Sequence, residues 1–107
     1  MQPALLKILE EAALISVRKA ALYQLADSPD VLLGVLERES DPEMKKAAVY
    51  ALGNAESREV VSALLKIAKE DKDVGVRKAA VNALGNIGTD EAQEAILELL
   101  KEGVGQD

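Results

Sequence analysis

The groups best placed to do chemistry are carboxylates. Glu91, Glu94, Glu98 and Glu102 recur at i, i+3, i+7 and i+11, a spacing that puts four acids in one stripe along a helix. Such a stripe suits a shared proton or a divalent cation held by oxygen. Its commoner use is a solvated face, because exposed helix positions are filled with Glu and Lys. A second row is basic and aromatic. Lys19/Tyr23 and Lys46/Tyr50 repeat at i, i+4, and Lys78/Asn82 completes the row. It suits an anion or a peptide, but tyrosines on neighbouring elements can equally cover each other and the lysine stems. The plainer reading is expected for both rows.

The missing residue types narrow the chemistry further. The 107 residues contain no His and no Cys, which removes most nucleophile–base pairs, disulfides and most transition-metal sites. No catalytic, cofactor or metal-binding residue is therefore assigned, and the expected protein is not an enzyme. The net charge is −6, from 19 acidic and 13 basic residues, so the surface repels phosphate backbones and no nucleic-acid partner is expected. No uncharged stretch is long enough to cross a bilayer, and MQPALLKILEE has acids where a signal peptide has none. These features predict no membrane partner and a cytoplasmic protein.

Elements that position these residues must be built without large rings. Hydrophobic residues make up 49% and charged residues 30%, enough for one folded domain, yet Phe and Trp are absent and only two Tyr occur. Leu, Ile, Val and Ala carry the packing, and small side chains let helices approach closely. Few Gly and Pro, and no alternating valine runs, predict an all-helical chain.

Internal repetition gives the architecture. VRKAALYQLADSP (17–29) is echoed by MKKAAVYALGNAE (44–56) and VRKAAVNALGNIG (76–88). The spacing is 27 residues and then 32, and SREVVSALLKIAKE (57–70) answers to TDEAQEAILELLKE (89–102). Each unit reads as helix A, a turn, and helix B. Asp41-Pro42 and Asp73 supply caps for A helices, while Ser28-Pro29, Ser57 and Thr89 supply starts for B helices. Gly53 and Gly85 fall where helix A is expected to stop. Val76, Ala80, Ala83 and Leu84 share one A face, and Val60, Leu64, Ile67 and Ala68 one B face, answered by Ala92, Ile96, Leu99 and Leu100. One hairpin cannot bury its apolar faces alone, so the units must stack.

The pattern V-R-K-A-A-x-x-A-L-G-x-x-G, with a Leu-rich second helix and an acidic loop, resembles the short HEAT-like repeats of the phycobilin-lyase type and the artificial helical-repeat binders built on it. The resemblance covers nearly the whole chain. It implies an all-α, right-handed α-solenoid of about three HEAT-like hairpins plus an N-terminal helix. The boundaries read as an N-terminal helical segment 1–16 and repeats of about 17–43, 44–75 and 76–107. The first repeat departs from the pattern, with Ala26-Asp27 in place of Gly-Asn and a shorter B helix. PALLKILEE (3–11) aligns with a B helix that has no A helix before it, and no breaker interrupts Ala4 to Ala26. Either the chain breaks near Ser16, or Pro3 to Ala26 is one long helix; the missing breakers favour the latter. A long helix would offer Leu5, Leu6, Leu9, Leu14 and Ile15 to a second subunit, a route to a homodimer by arm exchange.

HEAT-like solenoids bind through exposed B-helix positions. The resemblance carries this role to Glu59, Ser62, Lys66, Lys69, Glu91, Glu94, Glu98 and Lys101, with Gly34 and Glu37 in the corresponding rows of the shortened helix. The expected function is a non-catalytic scaffold that binds a partner protein there or self-associates through the N-terminal arm. The alternative is a lyase-like or chaperone-like subunit holding a pigment or small molecule. Two finer pairings are also expected: Lys66 with Glu98, and Arg18, Lys45 and Arg77 with the acidic loops that precede their helices.

Overall fold

Side-chain caps set where the helices begin. Asp41 accepts hydrogen bonds from the Glu43 and Met44 amides at 2.8 and 3.4 Å, and Asp73 accepts from Val76 at 3.0 Å. Ser57 accepts from Glu59 and Thr89 from Ala92, each at 3.2 Å. Each cap satisfies amides that the first turn of a helix leaves without an intrahelical acceptor. Ser28 stands at its expected cap position but its side chain makes no such bond.

The structure of the protein, a computed structural model, describes residues 3–24 and 27–103, with residues 3–12 by backbone alone. It contains α1 (Pro3–Tyr23), α2 (Pro29–Arg38), α3 (Pro42–Leu52), α4 (Arg58–Glu70), α5 (Val74–Ile87) and α6 (Asp90–Lys101), and no strand among the described residues. Helices α1, α3 and α5 pack side by side in one layer, and α2, α4 and α6 in the other. The result is a slab of 54 × 32 × 19 Å with a radius of gyration of 15.2 Å. A compact chain of this length would have about 13 Å, so the shape is elongated.

The core lies between the layers. Leu32, Leu52, Leu64, Leu84, Val49, Val60 and Val76 are its largest fully buried side chains. Ala47, Ala48, Ala79, Ala80 and Ala83 are buried as well, so small residues bring α3 close to α5. All four residues of the expected A face of α5 are buried. On the B helices the expected stripe is buried or half-buried except at Leu100, which is exposed on α6 with no further helix against it among the described residues.

Two expectations change at helix ends. Gly53 ends α3, but Gly85 does not end α5, which runs on to Ile87 and stops at Gly88. Gly88 has φ +66°, the left-handed conformation that a residue without Cβ adopts freely. The second repeat has Glu56 there, so its helix has no such stop to reach. The extra turn of α5 is held by Ile87, which is buried. At the N-terminus, α1 is one continuous helix of 21 residues that passes through Ser16 without a break and ends at Tyr23. Ala26 lies outside the described residues.

Candidate interaction face

Helix α4 is the shared wall of two grooves on the B layer. Towards α2, its Ala63 and Ile67 join Leu33 and Leu36 as the floor of a groove of about 460 Å³, with Glu37, Glu59, Lys66, Glu70 and Asp71 around it. The short α2, ten residues against thirteen in α4, leaves that floor partly open. Towards α6, a second groove is lined by Arg58, Val61, Ser62, Leu65, Glu91, Glu94, Ala95 and Glu98. It is the more polar of the two.

The expected binding residues therefore divide between the grooves. Glu59 and Lys66 face the α2 side, while Ser62, Glu91, Glu94 and Glu98 line the α6 side. Lys101 is exposed on α6 and lines neither groove. Glu37 joins Glu59 on the rim of the first groove, whereas Gly34 is not among its lining residues. Among the described residues Glu37, Glu59, Lys66, Glu70 and Glu94 have no ion-pair partner. Their charges are free to meet a ligand.

Lys69 lines neither groove but ties α4 to α6 beside the second. Its ammonium group bonds to Glu98 and lies 3.0 Å from Glu102. The expected Lys66–Glu98 pair does not form: Lys69, one helical turn further along α4, takes its place. Arg58 pairs with Glu91 at 3.4 Å across the other end of the groove. Three acids of the carboxylate stripe are thus engaged with cations. Among the described residues no group of three or more His, Cys, Asp or Glu is arranged to hold a metal ion.

The opposite layer has its own ladder of ion pairs, and it differs from expectation. Arg18 of α1 pairs with Glu39 at 2.5 Å, and Lys45 of α3 pairs with Asp71 at 3.1 Å. Glu39 and Asp71 lie in the loops that lead into the next A helices, α3 and α5, and not in loops that precede the cations' own helices. Each loop acid also accepts an amide two residues on, from Asp41 at 3.2 Å and Asp73 at 2.9 Å. One carboxylate therefore ties the loop and offsets the cation at the positive start of the neighbouring A helix. In the Lys–Tyr row, Lys19 and Lys46 converge on Glu43 at 3.3 and 3.2 Å. Tyr23 and Tyr50 stay about half exposed. Sequence reasoning missed Glu43, although its place three residues before Lys46 marks it as a helix-face partner.

These contacts set a pH dependence. The hydrogen bond from Lys46, and then that from Lys19, holds the Glu43 carboxyl below its ordinary value of 4.5. The bond from Lys69 does the same for Glu98. Bonds to Glu98 and then Glu102 raise Lys69 above 10.5. A depressed carboxylate contributes stability above its unfolded value and loses it as pH falls through its folded value. The raised lysine contributes below 10.5 and loses it as pH rises past its folded value. All three groups are solvated, so the effect is small. The expected result is a shallow fall in melting temperature on acidification below pH 4.5, reduced in Glu43→Gln. An identical acid limb in that variant would remove Glu43 from the account.

The N-terminal candidates separate as well. Leu14 is exposed on α1, while Ile15 is half-buried and packs against the core. The side chains of Leu5, Leu6 and Leu9 lie outside the described residues. No helix among the described residues is long and apolar enough to cross a membrane. A family model of HEAT repeats matches residues 29–107. No curated protein and no solved structure matches the chain.

Proposed function

This chain belongs to the HEAT-repeat family, and on that premise we propose that it is a non-catalytic scaffold whose α2–α4–α6 layer docks a partner protein. In this reading its hairpins stack as a right-handed superhelix, and the B layer lines the concave side. The α2–α4 groove carries the reading. It has an apolar floor of Leu33, Leu36, Ala63 and Ile67 and a rim on which, among the described residues, Glu37, Glu59, Lys66 and Glu70 are without ion-pair partners, the combination of desolvated centre and polar edge found at protein interfaces. Arg58, Lys69 and their acidic partners bound the second groove and fix its orientation.

The test is site-directed photo-crosslinking in cell extract. A crosslinker at Lys66 or Glu59 is expected to capture a specific protein, and one at Lys78 on the A layer is not. Ile67→Asp combined with Glu94→Lys is expected to weaken that complex by at least about tenfold. Capture that is equal from both layers, or indifferent to the double substitution, sinks the reading.

A second reading rests on the continuity of α1. Because the helix does not fold back at Ser16, its first half is available for exchange with another copy, and Leu14 marks that face. A closed dimer that dissociates in Leu14→Asp is the expected outcome of this reading.

A further inference from the structure

The α2–α4 groove specifies the kind of segment that fits it. On α4 its lining residues include Glu59, Ala63, Lys66, Ile67 and Glu70, at i, i+4, i+7, i+8 and i+11. That spacing keeps them on one helix face over three turns, about 16 Å at 1.5 Å per residue. The apolar residues of this face are half-buried, and Leu33 and Leu36 of α2 are half-buried beside them. The acids stand at the margins. Glu59 lies in the first turn of α4, Glu70 is its last residue, and Glu37 is on the α2 wall.

All three acids are exposed and, among the described residues, have no ion-pair partner. Lys66 is the one cation lining the groove among the described residues, and it is unpaired as well. Asp71 is already engaged by Lys45 at 3.1 Å. The uncompensated charge is therefore three acids to one lysine, on both walls and at both ends of an apolar strip. Its complement is an apolar strip flanked by cations.

The fold decides the form of that complement. No strand occurs among the described residues, so no sheet edge is offered to an extended segment. No aromatic side chain lines the groove, which removes the usual seat of a proline-rich segment. A trough three turns long beside α4, with the small Ala63 on its floor, admits another helix. Repeats stack within the layer, beside its outer helices, so further repeats would not cover this trough.

Resting on the reading that the B layer docks a partner protein, we propose that this groove takes a short basic amphipathic helix of that partner. Its apolar stripe lies on Leu33, Leu36, Ala63 and Ile67. Lysines or arginines near its two ends meet Glu59 and Glu70, and one on its flank meets Glu37. The net charge of −6 draws such a segment in before contact.

Fluorescence anisotropy of the full chain with stapled helical peptides of about 15 residues tests this. The first peptide carries leucines along one face and lysines elsewhere. The second replaces lysine with glutamate, and the third scrambles the first so that no face is apolar. The first is expected to bind at least about tenfold more tightly than either, and to weaken as salt is raised. Glu37→Lys/Glu59→Lys/Glu70→Lys is expected to weaken the first peptide about tenfold or more and to strengthen the second. Circular dichroism checks its folding, and Glu37→Gln/Glu59→Gln/Glu70→Gln replaces it if helix is lost. Glu59→Lys and Glu94→Lys change the net charge equally but sit in different grooves. Only Glu59→Lys is expected to weaken the first peptide by more than about twofold.

Equal losses in those two variants overturn the proposal, because the attraction is then that of the whole surface. So does a first peptide that is unbound at about 1 mM, or bound no better than the second or third. Tighter binding of a peptide copying Pro3–Tyr23 assigns the groove to another copy's α1 and also overturns it. If crosslinking at Lys66 still captures a protein while the first peptide fails, docking at the layer stands and the basic helix alone falls.

Discussion

Leu64→Ala is expected to destabilise the protein by about 2–5 kcal/mol, while Leu97→Ala on the next B helix changes stability by no more than about 0.5 kcal/mol. Both residues are leucines on B helices, and propensity treats them alike. Leu64 is fully buried between the layers, so truncation loses transfer energy and leaves a cavity that rigid helices close only in part. Leu97 already faces solvent at the end of the stack. The first loss is a large fraction of the roughly 5–15 kcal/mol that holds a domain of this size. Urea denaturation at low protein concentration measures both. Similar midpoints for the two variants would contradict the layer assignment.

The second large effect separates two glycines that the repeat equates. Gly53→Leu is expected to cost about 1–3 kcal/mol, the range for overpacking, and Gly85→Ala to gain about 0.5–1 kcal/mol. A Cβ on Gly53 would lie 3.2 Å from the Tyr50 carbonyl and 3.7 Å from the Cα and Cβ of Ala83. Further atoms would push into α5, where Ala83 leaves no room. Gly85 sits inside α5 with nothing close, so alanine adds helix propensity without a clash. Melting curves of the two variants should move in opposite directions, by about 4–8 °C per kcal/mol for a domain near this size. A shift of the same sign in both would show that the α3–α5 seam is looser than described.

Much of the fold was legible because the chain states it more than once. The caps at Asp41, Ser57, Asp73 and Thr89 follow from local chemistry and occur as read. The buried stripes of α4 and α5 follow from periodicity. Where the reading failed, the deciding factor was tertiary. Gly85 looked like a stop because Gly53 is one, but Gly88 and the burial of Ile87 carry α5 a turn further. Leu100 matched its row, yet a row buries a residue only if another helix covers it. The ion pairs went wrong by one turn or one repeat: Glu98 chose Lys69 over Lys66, and Arg18 and Lys45 reached forward. Side-chain length and interhelical offset decide such choices, and neither is written in spacing. The expected binding residues lie on the α2–α4–α6 layer, but their division into two grooves depends on the shortness of α2 and on the wall that α4 makes.

That shortness reaches beyond shape. A stack of repeats opens from its ends, and the end with the least seam opens first. Helix α2 has ten residues, no side-chain cap at Ser28, and a looser fit to α4 than α6 has. One wall of the apolar groove is therefore seated more loosely on α4 than α6 is, while the other wall is held from both sides. A protein seated there would trade part of its affinity for ordering that wall. In exchange it could enter sideways, through an opening the closed groove does not offer.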